Sequence, residues 1–496
     1  MGALDSGCFE IDLENGVGWE EEENEATDPA ASELESDADA ESTRSIEEAV
    51  RVLLQGLGED HQREGLRRTP QRVAKAFRGG TRGYKQNVKD IVQDALFPEA
   101  GLNLGTGHGG GAGGLVVVRD INLFSYCESC LLPFSIKCHV GYIPSGGLVV
   151  GLSKLSRAAD VFARRLQDPK RLASEICAAL HSSIKPAGVA VALQCCHMKL
   201  PEDHLSDIDS TYSTVSDMHS WEHVLVSSRS GVFKEEESSL WDDFSSLLRL
   251  RGVVIEREDT NNSHVYPWCP VRSPEVPLSN GYCARNSRNG KTYSRTAVSE
   301  SQASMVTAVA SILQSLGADP LRKELVGTPC RYVQWLLNFK SSNRDLDSNS
   351  LSIQRCAKEG NVDGTNEMQT VLNIPFFSLC EHHLLPFHGV AHIGYLIKRE
   401  TIPIERSALQ SMVHFFARKL QVQERLTRQI AEEVHSKFND GAMVVVEAHH
   451  NCMISRGIEK VGSNTATTAV LGQFSRDSKV KARFLQTIGS NASSAV

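Results

Sequence analysis

The first 43 residues contain no lysine, arginine or histidine, yet they hold 15 aspartates and glutamates. That excludes a secretory signal, which needs a cationic start before an apolar run, and an organelle transit peptide, which avoids acids. No apolar run in the 496 residues approaches the length of a membrane span. Dense basic stripes of the kind that bind nucleic acid are missing. So is a compact disulfide framework: the 13 cysteines are scattered, which suits a reducing, cytoplasmic setting. Residues 1–44 read as a solvated, disordered tail. Setting the first 43 aside removes 15 of the 61 acidic side chains and none of the 52 basic ones, so the remaining body is slightly positive and weakly suited to an anionic ligand.

What the chain does contain is itself, twice. "LGEDHQREGLRRTPQRVAKAF" (57–77) matches "LGADPLRKELVGTPCRYVQWL" (316–336), and "CESCLLPF" (127–134) matches "CEHHLLPF" (380–387). The stretch 140–167 matches 393–421, "GVAVALQCCHM" (188–198) matches "AMVVVEAHHNC" (442–452), and 230–248 resembles 471–488, all in the same order. Repeats of this length are whole domains. They are expected over 45–251 and 300–490, separated by a linker at 252–299 rich in Asn, Ser, Arg and Pro, with 491–496 as a tail. The Gly-rich run 104–115 lacks the Lys-Ser/Thr of a phosphate loop and precedes a strand, so it reads as a surface loop. Each repeat runs helix, strands, helix, strand: Ile46, Val50, Leu53 and Leu54 have helical spacing, and "GLVVVRDINLFSYC", "HVGYIP", "LVVGL", "GVAVALQCC" and "AMVVVEAHH" are strand-like. This order fits an α+β domain with an antiparallel sheet.

The second repeat carries metal chemistry. Cys380 and His383 stand three apart on a turn after a strand, and Cys452 lies far down the chain on another. Two ligands from a turn and one from afar is a zinc plan, and three protein ligands leave a fourth position for water, the mark of a catalytic site. The plain alternative is a core cysteine beside a surface histidine. His382 and His450 flank these positions and are suited to moving protons, or else are surface or supporting histidines. Gln423 and Glu424 could meet a guanine-like edge. The residues alone favour an ordinary solvated glutamate.

"CEHH", "QVQERLT", "HNCMISRG" and "TATTAVLGQF", in this order, resemble GTP cyclohydrolase I, over nearly all of the second repeat and, weakened, over the first. A fused pair resembles the plant form. The resemblance implies two tandem tunnelling-fold α+β domains, each an antiparallel sheet with helices on one face, which form rings as homo-oligomers. It implies hydrolysis and rearrangement of GTP to 7,8-dihydroneopterin triphosphate and formate, the entry step to folate, with no nucleic-acid or membrane partner. Carried over residue by residue, it makes Cys380, His383 and Cys452 ligands of a Zn2+ ion. His382 and His450 become the acid/base pair, Glu424 and Gln423 (aided by Ser407) hold the guanine edge, and Arg456 meets the triphosphate.

The two repeats depart from that pattern in opposite ways. The family's "SKxxR" clamp survives in the first as Ser153, Lys154 and Arg157, but the second has Ala408 and Ser411 in place of the cations. The "TPxRxxK" motif keeps Arg72 and Lys75 in the first, whereas the second has Arg331 and Gln334. Conversely, the first repeat has Ser129 and Cys130 for the two histidines, Lys199 for the third ligand and Lys170 for the guanine-binding glutamate, and keeps only His197. Losing several cations around a triphosphate of about four charges costs roughly 1.5–3 kcal/mol per charged hydrogen bond. The expectation is therefore a site shared between one repeat of each kind. Cys127 and Cys130 are read as relict core cysteines, with a metal completed by Cys195 or Cys196 as the alternative. Two other functions stay open on the residues: a related pterin or deazapurine enzyme with a cysteine nucleophile, and a non-catalytic regulatory subunit.

Overall fold

The computed structural model describes residues 37–92, 95–98, 114–146, 148–199, 221–235, 239–255, 268–269, 300–341, 366–398, 402–438, 440–456 and 464–493. Most of the tail, the Gly-rich run and most of the linker lie outside these residues.

Each repeat builds one five-stranded sheet. In the first it comprises β1 (Val116–Cys127), β2 (Pro133–Ile143), β3 (Leu166–Gln167), β4 (Gly188–Met198) and β5 (Trp221–Gly231), in the spatial order β3-β1-β2-β4-β5. In the second, β6 (Glu367–Cys380), β7 (Pro386–Ile397), β8 (Leu420–Gln421), β9 (Gly441–His450) and β10 (Thr465–Gly472) take the same order, β8-β6-β7-β9-β10. Neighbours are antiparallel except the two-residue edge strands β3 and β8, which run parallel to β1 and β6. Register fixes the repeat. Gly188 opposes Gly231 and Gly441 opposes Gly472, so β4 and β9 are equivalent at an offset that pairs His197 with His450 and Lys199 with Cys452.

Both sheets bulge at one point, between Val118 and Ile121 and between Val371 and Ile374. Asp120 and Asn373 take left-handed backbone there, with φ of 59° and 54°, a conformation these two residue types tolerate. Their amides donate to Nδ1 of buried His139 and His392, each at 3.2 Å. These two histidines are thereby accounted for as supports of the bend.

The longer helices of the first repeat are α1 (Asp37–Gly56), α2 (Thr69–Thr81), α3 (Leu152–Ala163), α4 (Pro169–Ile184) and α5 (Leu240–Arg249), with short turns of helix at Glu64–Arg67 and Val88–Val92. The second repeat has α6 (Glu300–Ser315), α7 (Thr328–Ser341), α8 (Arg406–Ala417), α9 (Gln423–Phe438), α10 (Asn451–Ile454) and α11 (Ser478–Ser493). Helix α1 begins at Asp37, inside the stretch expected to be disordered; Asp39 and Glu41 sit near its N-terminus, where the helix dipole favours negative charge. Strand alternation divides the side chains between faces. Val189, Val191 and Leu193 of β4 face the main core with Leu155 of α3 and Leu172 and Ile176 of α4, whereas Ala190 and Ala192 face Phe244 and Leu248 of α5. In the second repeat Met443 and Val445 likewise meet Phe474 and Phe484. Each fully buried Leu or Phe contributes about 2 kcal/mol.

The main core runs through both repeats, and their leading helices meet one another and dock on the opposite repeat's turn. Helix α1 lies against α6, with Ser45 Oγ 3.2 Å from Ser311 Oγ. A Cβ on Gly56 would come within 2.4 Å of Met305 Sδ, so glycine is what permits this approach. The start of α2 docks on the second repeat, where Thr69 Oγ1 donates to the Glu381 carbonyl at 2.6 Å. The start of α7 docks in the same way on the first: Thr328 Oγ1 donates to the Glu128 carbonyl, and Arg331 Nε to the Ser129 carbonyl at 2.8 Å.

Candidate functional site

The CEHH turn is held by its own backbone. Cys380 N–H donates to Leu385 O and Leu384 N–H to Cys380 O, both at 2.9 Å. Leu384 takes φ 52° to close the turn, a left-handed backbone that costs a β-carbon-bearing residue about 1 kcal/mol or more. This folds Cys380 and His383 to one side, where α10 delivers Cys452. The three potential ligand atoms lie within 4.8 Å of one another, with Cys380 Sγ 3.8 Å from His383 Nδ1. All three residues are buried, at 6, 8 and 8% exposure for Cys380, His383 and Cys452. The two sulfurs share a hydrogen bond: the Cys452 thiol donates to Cys380, which holds Cys380 well below the usual thiol range and pushes Cys452 well above it. A soft pair of sulfurs with one imidazole is a donor set that fits zinc.

Around this cluster stand most of the side chains expected at the site. His450 stacks on Phe387, centroids 4.6 Å apart and planes within 6°. Its Nε2 lies 2.8 Å from Gln423 Oε1. The Gln423 amide nitrogen is spent on the carbonyls of Val446 (3.0 Å) and Thr465 (2.8 Å). Gln423 therefore presents its oxygen to His450, fixing the imidazole proton on Nε2 and leaving Nδ1 to accept. Gln423 is 3% exposed with no remaining amide donor, so its place is behind His450 rather than against a ligand edge. Burial lowers the pKa of His450 and of His382 below the ordinary histidine value, partly offset by the charge of Cys380. Both rings are neutral near pH 7 and able to accept a proton. Glu424 is exposed on the first turn of α9, close enough that its charge acts on His450. Arg456 donates to His383 Nε2 at 2.6 Å. Ser407 opens α8, exposed, with its hydroxyl 3.3 Å from Glu405.

The first repeat reaches this cluster through Arg72, whose charge bears on His382 and further lowers its pKa. Met198 Sδ is 3.5 Å from Asn451 Nδ2. Lys75 lies one turn beyond Arg72 and is exposed. Ser153, Lys154 and Arg157 begin α3, with Ser153 and Arg157 exposed and Lys154 half-buried. Among the described residues, no hydrogen bond or ion pair joins these three to the Cys380 cluster.

Sequence reasoning missed the lock that holds the turns. Glu381, 1% exposed, takes a bidentate pair of bonds from Arg425 (2.8 Å each) and one from Arg63 of the first repeat (2.7 Å). A Cβ on Gly65 would fall 2.2 Å from the same carboxylate. Glu128 repeats the plan with Arg171 and with Arg322 of the second repeat. The signal was there: the glutamate is the one polar side chain shared by "CESC" and "CEHH". The first repeat's turn also differs from expectation. Cys195 and Cys196 lie on β4 away from it, Cys196 facing His223 at 3.8 Å, while Cys127 and Cys130 gather His197 and Cys269. Lys199, at the place of the third ligand, pairs outward with Glu222 at 3.1 Å.

A family model described as GTP cyclohydrolase I matches the chain twice, over residues 46–220 and 305–489. A tomato (Solanum lycopersicum) protein named GTP cyclohydrolase 1 is 50% identical over 495 residues, covering 99% of each chain. One of that name from Arabidopsis thaliana is 50% identical over 490 residues, 98% of this chain and 97% of its own. A Dictyostelium discoideum protein of the same name is 42% identical over 189 residues, 38% of this chain and 78% of its own.

Proposed function

Since the chain belongs to the GTP cyclohydrolase I family and carries its activity, we propose that GTP is processed at the Cys380 cluster with cations lent by the first repeat. The product is 7,8-dihydroneopterin triphosphate, with formate released. Cys380, His383 and Cys452 would hold a zinc ion, which when bound supplies a Lewis acid beside the purine ring. His450, aligned by Gln423, offers Nδ1 as a proton acceptor; His382 is the second such group, kept neutral by burial and by Arg72. Glu424, exposed beside His450, remains the anchor for the guanine edge, with Ser407 outside it. Arg456 would exchange His383 for a phosphate oxygen.

The observation that supports the shared site is the docking of the first repeat on the CEHH turn, where Thr69 and Arg63 bond Glu381, with Arg72, on the same helix as Thr69, near enough for its charge to act on His382. Since α3 makes no bond to this cluster, Ser153, Lys154 and Arg157 are assigned to the site of a neighbouring copy in a homo-oligomer. Exposed Phe97, Leu148 and Leu152, on and beside the ribbon formed by Leu96–Pro98 and Leu148–Val150, supply apolar surface for such a contact. The cytoplasm is the proposed compartment, since the described cysteines form no disulfide, and no described helix is long and apolar enough to cross a membrane. The test is GTP turnover of the purified full chain, read by fluorescence of the oxidised pterin. Turnover abolished by Cys452→Ser and impaired by Arg72→Ala is expected; full turnover in both variants would overturn the assignment.

A further inference from the structure

The ruined turn of the first repeat is a second cluster of a different kind. Cys127, Cys130, His197 and Cys269 offer four donor atoms that all lie within 4.8 Å of one another, and their side chains are 0, 0, 0 and 1% exposed. Cys130 Sγ is 3.3 Å from His197 Nε2. We propose that these four residues bind a zinc ion as a closed structural site, distinct from the one at Cys380.

Each donor is oriented from behind. Leu131, at φ 59°, closes the turn just as Leu384 does in the second repeat, and its amide bonds Cys127 O at 2.8 Å. The Ser129 amide points at Cys127 Sγ, 3.4 Å away, an N–H···S contact that orients the sulfur within the turn. His197 Nδ1 lies 2.7 Å from the Met198 carbonyl. That bond requires the proton on Nδ1 and leaves the Nε2 lone pair facing the sulfurs. Trp268 stands edge-on to His197 (5.0 Å) and to Phe134 (4.6 Å), so the residue before Cys269 walls the cluster in.

The ligand set is not a copy of the catalytic one. His197 occupies the place of the proton-handling His450, and the place of Cys452 is Lys199, turned away to Glu222. The missing donor comes instead from outside the repeat, from the segment that connects the two. Four protein donors complete a tetrahedral shell and leave no position for water or substrate, which makes the site structural. Its effect would be to pin the connecting segment to the end of the first sheet, at strand β4, whose next residue Met198 touches Asn451 beside Cys452.

The test counts metal. The full chain, purified under reducing conditions, is expected to hold two zinc ions, and the Cys452→Ser chain to keep one. Loaded with cobalt, that variant should show the visible bands and strong thiolate charge-transfer absorption of a tetrahedral sulfur-rich site. Cys269→Ser should lose one ion and melt at a lower temperature, and His197→Cys, which restores four donors, should keep both. A single ion in the wild-type chain, none in a folded Cys452→Ser chain, or a Cys127–Cys130 disulfide found by mass spectrometry of the reduced-purified protein would overturn the proposal. So would two ions retained by a folded Cys269→Ser chain. GTP turnover reports on the Cys380 site separately, so failure of one assignment leaves the other readable.

Discussion

Two turns with the same backbone present different donor sets. At Cys380 the three donors are nearly but not wholly buried, and a half-buried His382 and an exposed Glu424 stand beside them. At Cys127 four donors are sealed under Trp268. The scaffold is shared down to the left-handed leucine, the glutamate lock and the bulge histidine. What separates a reactive centre from an inert one is whether a fourth protein donor arrives, because that decides whether anything else can bind. Duplication allowed both to exist: each repeat keeps the turn, and only one needs to keep its opening.

The sharpest break of this comparison is Cys452→Ser. It removes a donor from the three-donor site only, so turnover should fall by on the order of 10³-fold or more, while the second cluster and the fold persist, as judged by circular dichroism. An equal loss from Cys269→Ser at a temperature where that chain is folded would erase the distinction between the sites.

Next come the cations. Arg72→Ala and Lys154→Ala should each raise KM for GTP about 10–100-fold, the worth of one charge-assisted hydrogen bond. They should differ on mixing. If Lys154 acts on a neighbouring copy, dissociating and reassembling Lys154→Ala with Cys452→Ser chains should restore part of the turnover, because some interfaces then combine two intact halves. Arg72→Ala, which damages the same cluster that Cys452→Ser damages from within one chain, has no such rescue. Recovery in the Arg72 mixture, or none in the Lys154 mixture, would reverse the assignment of arms to copies.

A smaller effect is expected at Gln423. Its oxygen sets the tautomer of His450, so Gln423→Ala should lower kcat about tenfold or somewhat more with KM little changed. A change confined to KM would return Gln423 to the guanine edge, where the sequence had put it.

These residues mark what could be read in advance. The repeat and both sheets followed from spacing, because strands and turns impose local periods; Cys380 and His383 were paired by their three-residue step, but Cys452 joined them through the family resemblance, and the fold brings the three together. The docking of each repeat's leading segment on the other's turn did not: Arg63 and Glu381 stand 318 positions apart, and nothing near either announces the other. The bonds of Gln423 were not legible because the carbonyls of Val446 and Thr465 that consume its amide lie on neighbouring strands. Cys269 escaped notice because it lies outside the repeat frame, so alignment of the halves offered Cys195 and Cys196 instead. Those two point along β4 to other neighbours.

The finest contrast lies between the two glutamate locks. Burial works to raise the pKa of Glu381, but the guanidinium groups of Arg425 and Arg63 outweigh it and hold the carboxyl below its ordinary value. For Glu128 burial prevails over Arg171 and Arg322, and its pKa is raised. The signs then oppose. A depressed carboxyl stabilises the fold at neutral pH, and that contribution is lost as pH falls from the ordinary carboxylate range through the folded value. A raised one favours the fold when protonated, and that contribution is lost as pH rises from the ordinary range through the folded value. Replacing Glu381 by Gln should therefore cost on the order of 1–2 kcal/mol at pH 7, an amount kept small because Arg63 and Arg425 are each 32% exposed. It should also flatten the acid side of the stability profile. Glu128→Gln should cost less at pH 7 and make the acid side somewhat steeper, because the contribution a raised carboxyl gains on protonation is removed. Urea unfolding of both variants between pH 4 and 7 measures this, and identical pH profiles would show that the two locks, alike in geometry, are alike in energy too.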